Sequence, residues 1–304
     1  MLSPFLMSLL WIPATLIAAT AQTARNATQR SLTEAIGVIG ATQVRFVFGL
    51  PFAALFLGLA SLLAGALPPS LNGTAFLWCL GGAATQIMAT ALMLATMKQR
   101  SFAVTTAYTK TEPVQAAVFA ALVLGDPLSL PKFAAIAVAT LGVLMISFRH
   151  GEPVLGAGLR PLVFGMLSGA FFALAAVCFR GAILSLDEGV FFLRASTILV
   201  WGLGLQSLML IIYLALRDRP ALTGSFRVWR PSLFAGFLGA LASQFWFIGF
   251  SLTAVANVRT LALVEVFLAQ IMSRKLFAEM TSPREIVGMG LIAIGVGTIL
   301  LLAI

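Results

Sequence analysis

The sequence predicts an all-α membrane protein of ten transmembrane helices, arranged as two inverted five-helix repeats. Three observations predict it: too little charge for a soluble particle, ten apolar stretches of membrane-crossing length, and polar and glycine positions that recur after 153 residues.

Of the 304 residues, 60% are apolar and 10% charged, and the mean hydropathy is +1.04. Soluble domains carry about 25% charged residues, so the composition excludes a cytosolic enzyme, a secreted disulfide scaffold and a disordered chain. The net charge of +9 could suit nucleic acid. In a membrane protein it has a simpler origin, because cytoplasmic loops collect Lys and Arg. The expected environment is the bilayer, with no nucleic-acid partner. Cys79 and Cys178 each sit in an apolar run and read as core residues. The single histidine, His150, lies beside Arg149 in a polar linker. A zinc site wants about four N or S ligands, so no metal is expected, and no cofactor.

The first stretch, Phe5–Arg25, has no basic residue ahead of it and reads as a span rather than a cleaved leader. The second, Ile36–Ala64, is long and should tilt. Pro68 and Pro69 precede the third, Ala75–Met97, and Phe102–Leu124 is the fourth. Gly125-Asp126-Pro127 separates it from the short fifth, Lys132–Phe148. The second five are Leu159–Leu184, Gly189–Leu216, Pro231–Leu252, Ala256–Phe277 and, after Pro283, Arg284–Ile304. Each meets the requirement of about 20 mostly apolar residues for about 30 Å of hydrocarbon, the fifth least comfortably.

The repeat appears when Phe102–Phe148 is set against Val255–Leu301. Ala103, Glu112, Asp126 and Gly142 match Ala256, Glu265, Glu279 and Gly295, each at the same 153-residue offset. The units are then 1–150 and 151–304. Five spans is an odd number, so the second copy enters the membrane from the opposite side. Inverted repeats are common in secondary transporters, whose substrate sites lie near the midplane between the halves.

With Thr111-Glu112-Pro113 through Leu124-Gly125-Asp126, Leu263-Val264-Glu265 through Ala278-Glu279, and Val44-Arg45-Phe46 followed by Gly49-Leu50-Pro51-Phe52, the chain resembles the EamA-type members of the drug/metabolite transporter superfamily. The resemblance covers almost the whole chain. It implies movement of small metabolites, often outward, between two pseudosymmetric bundles. It also implies a proline midway along the fourth and ninth spans. Pro113 occupies the first place and Val266 the second, so a proline hinge is expected in one copy only. Members usually keep both termini inside the cell. The charges here say otherwise: thirteen Lys and Arg, from Arg25 to Arg284, fall in links after odd-numbered spans, against three elsewhere outside span interiors. By the positive-inside rule both termini lie outside the cytoplasm.

Charges within spans normally face a bundle interior or a wet cavity. Glu112, its repeat mate Glu265, and Lys110 are expected near mid-membrane as the polar centre that binds substrate or a coupling proton. Glu112 and Lys110 point to different helix faces and are poor partners for each other. Tyr108 and Trp246 could line the cavity, and Arg45 and Arg194 could gate it. Arg180 and Arg259 read as interfacial anchors. Gln86 and Gln244, with Gln22, Asn26, Gln43 and Asn257, suit interhelical hydrogen bonding or the cavity wall. Gly288, Gly290, Gly295 and Gly297 suit close helix packing. There is no Gly-x-x-x-x-Gly-Lys-Ser/Thr loop and no plausible catalytic triad. An intramembrane enzyme and a lipid flippase therefore stand behind a secondary transporter of small metabolites. The excess of basic groups within spans leans to anionic or zwitterionic solutes such as amino acids. The chain is expected to act as a monomer or homodimer.

Overall fold

The computed structural model describes residues 7, 9–99, 102–147, 159–266 and 283–303. Helices dominate, and there is no strand among the described residues. Helix α1 (Trp11–Val47) contains one non-helical residue, Gly37, at φ 73° and ψ 174°. That conformation is open essentially to glycine alone, so Gly37 divides α1 into two helical arms. The break was expected at the polar stretch from Asn26 to Ala35. Instead the helix runs through that stretch, and Arg25, expected in a loop, is completely buried. The stretch is polar on one face rather than unfolded.

Helix α2 (Leu50–Ala64) carries Pro51 in its first turn and ends on Gly65 in the left-handed region. Helix α3 (Gly73–Gln99) starts where the Ala75 amide donates to the Asn72 side-chain oxygen, a side-chain cap for an otherwise orphan donor. Helices α4 (Phe102–Thr109) and α5 (Glu112–Leu124) are separated by Lys110 and Thr111, and Pro113 opens α5. A proline inside a helical run removes a backbone bond and its ring crowds the turn before it. Helix α6 is Leu130–Ser147.

Helices α7 (Leu159–Leu184) and α8 (Phe191–Arg217) lead to a short one, α9 (Arg219–Arg227), capped by Asp218. Helices α10 (Trp229–Leu252), α11 (Val255–Leu261) and α12 (Pro283–Ala303) complete the described elements. Past α11 the chain turns at Ala262 and Leu263. The amides of Leu263, Glu265 and Val266 donate to the carbonyls of Thr260, Ala262 and Leu263, three residues back. This tighter pattern interrupts the helix around Leu263, 153 residues on from Lys110, with no proline present. A proline accompanies the first break only, and the second is made without one.

Six helical runs are long and apolar enough to cross a membrane by length and composition: Trp11–Ala64, Gly73–Gln99, Leu159–Leu184, Phe191–Arg217, Trp229–Leu252 and Pro283–Leu302. Two shorter apolar helices, Glu112–Leu124 and Leu130–Ile146, join them. Outward faces carry bare leucines, among them Leu62, Leu122 and Leu301 at about 80% exposure. Apolar surface of this kind needs lipid around it.

The most extensive helix packings are α3 on α7, α1 on α10 and α6 on α12. At the last of these, a Cβ at Gly142 would lie 2.5 Å from the Gly288 carbonyl oxygen and 2.9 Å from Ile292. A Cβ at Gly295 would lie 2.5 Å from the Ala135 carbonyl oxygen and 2.7 Å from the Ala139 Cβ. Small residues let the two backbones touch. Gly290 and Gly297 meet nothing and take no part in this contact.

Arg180, expected as an interfacial anchor, ties elements together. Its Nη1 donates to the carbonyls of Phe250 and Thr253 at the end of α10, and its Nε lies 3.4 Å from Asp126 Oδ2. The orphan carbonyls of a helix end and the loop carboxylate share one guanidinium. Arg180→Met is expected to cost about 1.5–3 kcal/mol, the usual worth of a hydrogen bond to a charged group. A lowered melting temperature of the detergent-solubilised protein would register it; an unchanged one would refute the clamp.

Candidate functional site

The breaks between α4 and α5 and after α11 bring four ionisable groups together. Lys110 forms an ion pair with Glu265, and Arg259 Nε lies 2.9 Å from Glu112 Oε1. All four side chains are at most 14% exposed. The expectation that Lys110 and Glu112 avoid each other agrees with this pairing. Each reaches across to the chain segment that carries the other break. Lys110 sits in the first break itself, and Glu265 two residues beyond the second.

Arg259 is not at an interface. It is buried, and its guanidinium carbon stands 4.3 Å from the Trp246 ring centroid and 5.2 Å from that of Phe250. Cation–π contact and the Glu112 carboxylate together compensate its lost hydration. Trp246 Nε1 donates to Gln22 Oε1 at 3.1 Å, and Thr23 donates to Glu265 Oε2 at 3.0 Å. Helix α1 thus forms one wall of the centre.

Two more cations stand on that wall. Arg25 and Arg45 are 0% and 1% exposed. Arg45 Nη1 donates to Thr90 Oγ1 at 3.0 Å, and Arg25 Nη2 donates to Asn26 Oδ1 at 2.6 Å.

The remaining candidate residues fall elsewhere. Tyr108 is buried with its ring against Gly165, where a Cβ would come within 2.4 Å of the Tyr108 Cβ. Gln86 Oε1 accepts from Gln206 Nε2 at 2.8 Å, and Gln244 Nε2 donates to Ser196 Oγ at 2.9 Å, so each joins a pair of helices. Arg194, at the start of α8, points to the Leu186 carbonyl at 3.5 Å and is not brought to the centre. The loop acid Glu279 lies outside the described residues. Cys79 and Cys178 are buried and free, and no group of three or more His, Cys, Asp or Glu among the described residues could hold a metal ion.

Sequence reasoning missed Arg25, and it misread Arg259. For Arg25 a signal was present. Gln22, Arg25, Asn26 and Gln29 recur at helical spacing, which marks one polar face of a continuing helix.

The model of the EamA-like transporter family matches residues 9–148. No curated protein matches the sequence. A solved structure, described only as the crystal structure of a protein, matches with a TM-score of 0.69 at 16% identity. The match covers 98% of this chain and 96% of that one. At such identity the likeness concerns the fold alone. It extends over both halves, whereas the family match lies in the first. Members of the family are transporters, and the match suggests a membrane transporter of that type. Residues 9–148 thus carry a match to the EamA-like transporter family, which lies in the drug/metabolite transporter superfamily.

Proposed function

We propose that the protein is a secondary transporter that moves a small zwitterionic or anionic metabolite, such as an amino acid, out of the cell by alternating access. The observation that carries this is the crossed pairing of Lys110 with Glu265 and Arg259 with Glu112 at two facing helix breaks. In secondary transporters, discontinuous helices near the midplane hold the substrate and coupling ion. A solute with its own ammonium and carboxylate groups can replace one partner in each crossed pair. Replacement loosens the hold of one half on the other, and a two-state bundle responds only to such differential contacts. Protonation of either carboxylate would release its cation, which is where a coupling proton would act.

The architecture in this reading is ten spans in two inverted units, 1–150 and 151–304. Support comes from the contacts of α6 and α12. Under the 153-residue offset Gly142, Ala135 and Ala139 become Gly295, Gly288 and Ile292, so the two glycine contacts are mirror copies of each other. The α3–α7 packing similarly becomes α10–α1. Residue order runs oppositely along α6 and α12 in these contacts, as an inverted repeat requires.

A screen of metabolites for flux in proteoliposomes tests the function. Counterflow of at least one carboxylated solute is expected, and movement of cations alone would overturn the reading. For orientation we propose both termini outside the cytoplasm. Removing Arg25 from the count still leaves twelve basic residues on the opposite side. Leu302→Cys, in a background with Cys79 and Cys178 replaced by alanine, is expected to react with an impermeant maleimide on intact cells. Labelling only after the membrane is opened would reverse the orientation.

A further inference from the structure

We propose that Arg25 and Arg45 form a buried subsite for an oxyanion, a carboxylate or phosphate group. The inference rests on the transport reading only in taking that oxyanion as part of the cargo. Lys110 and Arg259 each have a carboxylate, but neither Arg25 nor Arg45 has one within ion-pair distance among the described residues. Four buried cations therefore face two carboxylates, both already engaged. Arginine does not escape by losing its proton, so the centre holds two positive charges in excess.

The donors are also incompletely used. Arg25 Nε and Nη2 both donate to Asn26 Oδ1, at 3.2 and 2.6 Å, while its buried Nη1 has no partner. Arg45 Nη1 is taken by Thr90, while its buried Nε has none. Asn26 and Thr90 hold the two side chains in place and leave these donors free for an incoming acceptor. The stems converge at Gly239 of α10, where a Cβ would lie 3.1 Å from Arg45 Cγ and 3.4 Å from Arg25 Cδ. The absence of a side chain there lets the stems of both arginines pack against the same point of α10. An oxyanion between them neutralises both, and guanidinium groups suit its planar or tetrahedral oxygens.

The test uses the full protein in phosphatidylcholine nanodiscs, titrated with succinate or with inorganic phosphate against chloride at matched ionic strength, and followed by calorimetry. Saturable binding of at least one probe is expected, at least tenfold weaker in Arg25→Gln and Arg45→Gln. Arg219→Gln, on the surface, should bind as the wild type does. Whichever probe binds identifies the group. Should the glutamine variants fail to fold, Arg25→Lys and Arg45→Lys keep the charge without the fork and should still lose at least threefold. No saturable binding of either probe, or wild-type affinity in the variants that fold, overturns the subsite. Binding without any solute flux in liposomes would sink the transport reading and leave the subsite standing. Flux unaltered in Arg25→Gln, with no anion bound, would do the reverse.

Discussion

Glu112→Gln is expected to reduce solute flux at least tenfold and to destabilise the protein at once. The substitution leaves Arg259 buried without its carboxylate, and removing one partner of a buried pair costs about 3–5 kcal/mol. Stability and function can be separated by the double variant Glu112→Gln with Arg259→Gln. Neutralising both partners leaves no orphan charge, so the melting temperature should return toward that of the wild type. Flux should not return, because the crossed pair proposed to yield to the solute is gone. Lys110→Ala should likewise lose flux while the protein stays monodisperse. Flux in proteoliposomes, read beside thermal unfolding of the same preparations, distinguishes the cases. If both Glu112→Gln and Lys110→Ala transport normally, the crossed pairs hold helices together and the solute binds elsewhere.

The second large effect is expected at the contact of α6 with α12. Gly142→Leu and Gly295→Leu each drive a side chain into backbone, since even a Cβ would lie 2.5 Å from a carbonyl oxygen in both cases. Overpacking of a tight core typically costs about 1–3 kcal/mol, and here the obstacle is main chain, which yields less than a rotamer. Both variants should therefore unfold in mild detergent at markedly lower temperature, and by similar amounts because the two contacts are equally close. Gly290→Leu and Gly297→Leu serve as controls, since a Cβ at either position meets nothing. Equal stability of Gly142→Leu and Gly290→Leu would remove the close contact from the account, and with it the strongest support for the inverted arrangement.

Much of the fold was legible because a bilayer imposes simple demands. Apolar length and charge scarcity mark helices in lipid, whatever those helices pack against. The glutamate pair was legible from its repeat offset. Boundaries and pairings were not. The polar stretch after Arg25 reads as a link by composition, but it is packed against other helices on one face, its backbone groups are satisfied by continuing the helix, and Gly37 supplies the turn. The second break, at Ala262 and Leu263, carries no proline and is made from tighter backbone bonds that no residue type announces. Arg259 looked like an anchor from its place early in a span. Its true setting depends on Trp246 and Glu112, which are distant in sequence.

By itself, then, the amino-acid sequence determined that the chain is a helical membrane protein and that Glu112, Lys110 and Glu265 belong to its interior. Those properties follow from hydration cost, which each residue carries with it. The tertiary structure decided which cation meets which carboxylate, and that Arg25 and Arg45 meet neither. Coulomb interactions depend on separation, and the separations here are set by packing between helices distant in sequence, as where Gly239 of α10 receives the stems of Arg25 and Arg45.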